Sequence, residues 1–269
     1  AREPRLWESV RETRMNHVRV KGEPGFVLHW RPYSESSLLL ELYSRSYGRI
    51  TAIAKGARGR KSPYRGTLRP FALITLGWSG KGEVKTLTQG EWAGPGAALV
   101  GSGLFCGFYL NELLIKFLHR YDPHERLFER YWQCIHELLS DSDQESALRY
   151  FEKVLLEEIG YGLQLEHDQT SGEKILPAGR YRYQPGVGAF VEQTDDQSGV
   201  GIHGESLIAL RAESPLSERS QREVKQLHRA IFHNLLEGRT LVSRSVYSQL
   251  YSSDSGAKTE PYAPQTTSH

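Results

Sequence analysis

The sequence predicts an α+β chain: a small N-terminal β-barrel or sandwich, then a helical domain interrupted by a short irregular insert with a hairpin. Three observations carry this reading. Between Phe26 and Trp92 apolar residues recur with period two in short runs separated by Gly, Pro and Ser turns. From about Leu99 the apolar residues fall instead at helical spacing. Between His167 and Gly204 both patterns give way to a polar, Gly-rich stretch. The expected boundaries are an N-terminal extension at 1–23, the barrel at 24–95, the helical domain at 96–251 with its insert at 165–204, and a tail at 252–269.

The strands come in order. Phe26–Trp30 is apolar and bounded by Pro24-Gly25 and Pro32. Ser37–Ser44 alternates, with Leu38, Leu40 and Leu42 on one face and Leu39, Glu41 and Tyr43 on the other. Gly48 marks a turn, after which Ile50, Ala52 and Ala54 share a face. Phe71–Trp78 is another apolar run, closed by the turn Ser79-Gly80-Lys81-Gly82, and Val84–Gln89 alternates again. A sheet this small is best protected by closing on itself, which removes its edges.

In the helical half Leu110, Leu113, Leu114, Phe117 and Leu118 form one apolar face. Asp122-Pro123-His124-Glu125 reads as a helix start, with Asp122 as cap and Glu125 closing a capping box. Leu127, Tyr131, Ile135 and Leu138 follow as its buried stripe. The next helix runs from about Gln144, with Leu148, Phe151, Leu155 and Ile159 inward, and stops at Gly160-Tyr161-Gly162. A long helix after Ser214-Pro215 buries Val224, Leu227, Ile231 and Leu235, and Ser243–Tyr251 reads as a short last helix. In the insert, Arg180–Tyr183 and Ala189–Val191 are spaced to pair as a hairpin. Ser252–His269 has the composition of a disordered tail. Met15 is the only methionine, so residues 1–14 read as an upstream extension, and Ala1–Glu23 as poorly ordered apart from what later strands capture.

Composition narrows the function. Ala1–Arg19 is charged and lacks the apolar core of a secretory signal, and no run approaches the roughly 18 apolar residues of a membrane span. Two cysteines, Cys106 and Cys134, cannot build a disulfide framework or a four-thiolate zinc site, and they suit a reducing, cytoplasmic compartment. The net charge of +2 conceals an asymmetry: residues 1–92 hold 17 Lys and Arg against 8 Asp and Glu, and residues 93–269 hold 17 against 24. A basic first third on a nearly neutral chain suits a polyanionic partner.

The motifs of hydrolases, metallopeptidases and P-loop enzymes are absent. Gly56–Ser62 and Gly77–Gly82 superficially resemble a P-loop but lack the spacing that wraps a phosphate. His228 and His233 do not share a helix face, and Glu157 and Glu158 point apart. No catalytic residue, metal ligand or cofactor is therefore assigned, and the chain is not expected to be an enzyme. What is present is the stretch Lys55–Arg69, with six basic residues (Lys55, Arg58, Arg60, Lys61, Arg65, Arg69), no acidic one, and Tyr64 among them. Glycines keep such a backbone open, so guanidinium groups can reach successive phosphates. Basic grooves with aromatic faces are how small barrels hold single strands, and Tyr47, Phe71 and Trp78 lie nearby, Phe71 reading better as core. The DNA-binding set read here is Arg49, Lys55, Arg58, Arg60, Lys61, Tyr64, Arg65, Arg69, Lys81 and Lys85.

Several segments in order, Phe26–Ser37, Ala54–Arg58, Leu68–Phe71, Gly82–Leu87, Tyr109–Leu114, Leu148–Glu152 and Gly160–Gly162, resemble the RecO family of bacterial DNA repair proteins over roughly Gly25 to Tyr251. The resemblance implies an N-terminal OB-fold and a helical domain. It implies binding of single- and double-stranded DNA, annealing of complementary strands, and loading of RecA with RecR onto strands coated by the single-stranded-DNA-binding protein. Whether a RecF-like partner takes part stays open. Many members carry a four-cysteine zinc site in the helical domain; here Leu165–Tyr183 stands in that place without a cysteine, as a metal-free remnant. The resemblance also assigns Arg149 to the C-terminal carboxylate of the single-stranded-DNA-binding protein, with Phe151 and Leu155 as the pocket wall. The alternative reading of the same barrel is an RNA-binding or ribosome-associated module; a nucleic-acid-modifying enzyme would need a carboxylate or metal cluster that the sequence does not present.

Overall fold

The period-two runs form five strands, β1 (Arg19–Tyr33), β2 (Ser37–Ser44), β3 (Gly48–Ala54), β4 (Ile74–Ser79) and β5 (Val84–Trp92). They close into a barrel in the order β1-β2-β3-β5-β4, antiparallel except for the parallel pair β3–β5. This is the expected OB-fold. The computed structural model describes residues 19–94, 98–140, 143–193, 198–239, 241–243 and 245. The expected extension before residue 19, most of the expected helix Ser243–Tyr251 and the tail from 252 lie outside these.

β1 serves both neighbours: Arg19–Gly25 pairs with β4 and Gly25–Tyr33 with β2, with register shifts between Val20 and Glu23 and between Val27 and His29. Residues 19–23 are thus strand and not extension, because β4 captures them. Inside the barrel, Val27, Leu40, Leu42, Ile50, Ala52, Ile74, Leu76 and Trp78 form the core. The opposite face of β1 and β2 is buried too: Phe26 and Tyr43 pack on Phe128 and Tyr131 of the helical domain, ring centroids 4.9–6.2 Å apart. Asn111, itself buried, donates to the Leu28 carbonyl at 2.8 Å and accepts from the Tyr131 hydroxyl at 2.6 Å. Gly48 takes φ +67°, and a Cβ there would overlap the Asp122 carbonyl, so the β2–β3 turn seats on the helical domain only as glycine.

The helices are α1 (Gly101–Phe117), α2 (Glu125–Leu139), α3 (Gln144–Glu158), α4 (Gly204–Ala212) and α5 (Glu218–Leu235). The stripes Leu110/Leu113/Leu114/Leu118, Leu127/Tyr131/Ile135/Leu138, Leu148/Phe151/Leu155 and Val224/Leu227/Ile231 are all buried. Asp143 caps α3 through Ser146 N at 3.1 Å, and Ser217 caps α5 through Ser220 N at 3.2 Å. The expected Asp122 cap is not made. His124 occupies the cap position of α2 and offers no side-chain cap bond. The chain before it is held against β3, with Tyr121 N donating to Arg49 O at 3.0 Å, and this leaves Asp122 two residues before the cap position.

The insert holds more structure than the hairpin expected. β6 (Arg180–Gln184) and β7 (Gly188–Val191) pair as read, and β8 (Val200–His203) adds a third strand in the order β7-β6-β8. β8 and α4 go beyond what the sequence pattern indicates, since four residues carry too little period to register. Buried Asp168 organises the loops, accepting from Ser171 N and Oγ at 2.7 Å each and from Val191 N at 3.0 Å. Burial alone would raise its carboxyl pKa; these donors hold it below the ordinary value. Among the described residues, no helix is long and apolar enough to cross a membrane.

Candidate nucleic-acid interface

Strands β1, β3 and β5 run in one direction, as follows from β1 antiparallel to β2, β2 antiparallel to β3, and β3 parallel to β5. Their last residues, Tyr33, Ala54 and Trp92, therefore lie at one end of the barrel with the starts of β2 and β4. The Lys55–Arg69 stretch links β3 to β4 across this end. Lys55, Arg58, Arg60, Lys61 and Arg65 are exposed on it. Its backbone is a chain of tight turns (Gly59 N to Gly56 O, Ser62 N to Gly59 O, Arg65 N to Ser62 O). It is also braced, which sequence reasoning did not foresee. Arg58 N donates to Ser36 O at 2.9 Å, and the half-buried Tyr64 donates its hydroxyl to Leu87 O at 3.2 Å. Gly90 makes room for the Tyr64 ring, since a Cβ there would stand 3.3 Å from it. Tyr64 is thus mainly an anchor. Arg69 lays its guanidinium 4.4 Å from the Trp92 ring centroid.

Three residues expected at this interface fall elsewhere. Arg49 sits at the opposite end, where its guanidinium donates to the Ile115 and Leu118 carbonyls and lies 3.6 Å from Glu41, which also holds Arg120 at 2.9 Å. It caps the C-terminus of α1 and ties it to the barrel. Burial lowers its pKa, against the pull of Glu41. Lys85 is 1% exposed, donates to Gly80 O at 3.1 Å and lies 5.3 Å from the Tyr121 ring centroid; burial lowers its pKa. Lys81 is exposed, but on the β4–β5 turn at the opposite end, near Arg19 of β1. Sequence counts charges but says neither at which end of a barrel they emerge, as for Arg49 and Lys81, nor how deep they lie, as for Lys85. The nearby aromatics also re-sort. Trp78 is core, edge-on to Tyr47, and Phe71 is buried against Phe108 in the helical core. The exposed rings at the loop's end are Trp30, Tyr33 and Trp92, and the only signal for the first was its place between His29 and Arg31 in an otherwise apolar run.

The helical domain carries a separate feature. A cavity of about 220 Å³ opens between α1, α3 and α5, lined by Phe105, Cys106, Tyr109, Leu148, Arg149, Lys225, Arg229 and Ser243 among others. Arg149 is 4% exposed and binds Glu152 at 2.8 Å, with Glu145 4.0 Å away. Glu152, fully buried, also accepts from the Tyr109 hydroxyl and lies against His228 Nδ1, each at 2.6 Å. Burial would raise the Glu152 pKa; Arg149 and His228 hold it below the ordinary carboxylate range. Burial lowers the pKa of His228, outweighing the attraction of Glu152. Phe151 and Leu155, expected as pocket wall, are wholly buried in the core, because they lie on the inner face of α3; the apolar lining of this cavity is Phe105, Tyr109 and Leu148. Lys225 pairs with Glu145 at 2.7 Å, and Arg229 is exposed. Ser243, which lines the cavity, is held by Glu112, whose carboxylate accepts from Val242 N and Ser243 N at 2.9 Å each. Burial lifts the Cys106 thiol to about 11, which suits packing more than reactivity. Among the described residues, no three His, Cys, Asp or Glu side chains gather as metal ligands.

The family model for the recombination protein O N terminal matches residues 18–95, and that for the recombination protein O C terminal matches 101–245. The chain belongs to the recombination protein O family. It is 46% identical over 233 residues to the DNA repair protein RecO of Halorhodospira halophila, covering 86% of this chain and 97% of that one. It is 42% identical over 228 residues to the DNA repair protein RecO of Coxiella burnetii, covering 85% and 98%. The recombination protein O matches divide where the structure does: the first begins one residue before β1 and the second begins at the first residue of α1.

Proposed function

We propose that this chain is a DNA-binding recombination mediator and not an enzyme. The single observation behind the reading is the braced loop at one barrel end, which exposes Lys55, Arg58, Arg60, Lys61 and Arg65 and holds no acidic residue. Such a surface takes the backbone of single- and double-stranded DNA without reading sequence, and by holding two strands it favours their annealing. With RecR it helps load RecA onto single strands coated by the single-stranded-DNA-binding protein, in the cytoplasm at the nucleoid. The tail of that protein, apolar at its end and acidic before it, fits the cavity beside α3: Phe105, Tyr109 and Leu148 offer the apolar wall, and Arg149, Lys225 and Arg229 the cations.

Charge reversal tests the loop. Arg58, Arg60, Lys61 and Arg65 changed together to Glu should abolish DNA binding at moderate salt and leave the circular dichroism spectrum unchanged. The log–log salt slope for duplex should shrink by about 0.9 for each phosphate the loop no longer neutralises. Parent-like binding by this variant removes the loop from the interface. For the cavity, Lys225→Glu with Arg229→Glu should weaken a labelled tail peptide at least about tenfold; unchanged affinity would remove the cavity as its site. Arg149→Ala serves less well, because this arginine also neutralises a buried carboxylate.

A further inference from the structure

The geometry points to a base-stacking rim on the barrel, formed by Trp30, Tyr33 and Trp92, which takes the unpaired bases of a single strand while the loop cations take its phosphates. This rests on the DNA-binding reading above and concerns what that reading leaves open, how single strands are told from duplex.

Three large aromatic side chains stand exposed at one end of the barrel: Trp30 at 44%, Tyr33 at 47% and Trp92 at 40%. Aromatic rings of this size cost free energy when left in water, and these cluster where the cations are. Cross-strand partners share a face. Trp30 opposes Leu40 and Trp92 opposes Ile74, and both partners are fully buried in the barrel core. The two tryptophans therefore continue the inward-facing rows of β1 and β5 past the last core layer, onto the rim.

Loop residues flank the exposed rings. Past Gly25, β1 leaves β4, and the segment Arg69-Pro70 fills the gap: Pro70 bridges to Val27 of β1, and Arg69 stacks on Trp92 of β5. On the far side, Arg58 reaches the Ser34 carbonyl at 3.4 Å, beside Tyr33. Arg69 thus stands beside Trp92, and Arg58 beside the turn after Tyr33, which by its pairing with Ser37 takes the outer face; cations flank the rings on both sides. Two acids, Glu35 and Glu91, are exposed at this end, against six basic residues in the loop. The charge favours a polyanion, and rings offered edge by edge with cations fit a flexible strand with accessible base faces. A duplex hides those faces and would use the cations alone.

The test compares affinities of the full chain for an oligothymidylate and for a duplex of equal length at matched salt. Trp30→Ala with Tyr33→Ala should weaken the single strand at least about tenfold, since stacking contributes roughly 1–3 kcal/mol per base and 1.4 kcal/mol is tenfold. Duplex binding should stay within about twofold. Trp30→Phe with Tyr33→Phe keeps the rings and should restore most of the single-strand affinity. Trp92 is left intact because Arg69 rests on it. Unchanged single-strand affinity in the Ala variant, or an equal loss for both ligands, would overturn the stacking rim. The charge-reversed loop variant must lose both ligands, and so separates failure of the DNA reading from failure of the rim.

Discussion

Replacing Arg149 by Ala should destabilise the helical domain far more than a surface arginine would. Arg149 and Glu152 are 4% and 0% exposed, and Glu152 keeps only His228 and Tyr109 once the guanidinium at 2.8 Å is gone. Removing one partner of a buried pair costs about 3–5 kcal/mol, because the other charge stays behind in a low dielectric. For a domain of this size each kcal/mol lowers Tm by ~2–4 °C, a fall of roughly 6–20 °C. The deficit should depend on pH. In the parent, burial and Arg149 both push the His228 pKa down while Glu152 pulls it up. A folded pKa below the unfolded value gives stability that is complete above the ordinary histidine pKa and is lost as pH falls beneath it; the depressed Glu152 adds the same sign at lower pH. Without Arg149 the repulsion on His228 disappears, and the imidazolium stands as a counter-charge in direct contact with Glu152. Its folded pKa rises, so the variant gains stability relative to the parent as pH falls. Urea unfolding followed by far-UV circular dichroism at pH 8 and pH 6 measures this. The deficit should be largest at pH 8 and smaller at pH 6. A variant within about 1 kcal/mol of the parent at pH 8 would refute the assignment of Arg149 as the neutralising partner.

Three further outcomes follow from the geometry. Gly48→Ala forces a left-handed residue against the Asp122 carbonyl and should cost about 1–3 kcal/mol or more, read as a lower Tm, with DNA affinity at permissive temperature unchanged. Lys85→Met keeps a long side chain in a buried place, where the ammonium reaches Gly80 O and not solvent; duplex affinity and its salt slope should equal the parent's, and any loss would return Lys85 to the interface. Asp168→Ala leaves the Val191 and Ser171 amides without their acceptor and should cost about 1–3 kcal/mol, with faster hydrogen exchange at Val191 reporting the loosened insert.

The sequence by itself determined the order of things along the chain. The change of period near Leu99 separated barrel from helices, the stripes of α1, α2, α3 and α5 were readable except that Phe117, Ile159 and Leu235 are only half-buried, and the run Lys55–Arg69 marked the basic loop, because period and composition are local properties. Tertiary structure decided what those residues do. Arg49, Lys81 and Lys85 count as charges in the same basic third, yet closure of the barrel sends Arg49 to the end of α1, buries Lys85, and puts Lys81 at the end opposite the loop. Trp30 reads as one more apolar residue of a strand, and only the departure of β1 from β4 leaves it on an open rim. Arg149 has the same side chain as Arg58; Arg58 stands in water while Arg149 lies against a carboxylate with no exposure at all, and the charge does opposite work in the two places. Period two says which face a residue takes, but neither the end of the barrel nor the depth, since both depend on which strands meet and where the second domain packs.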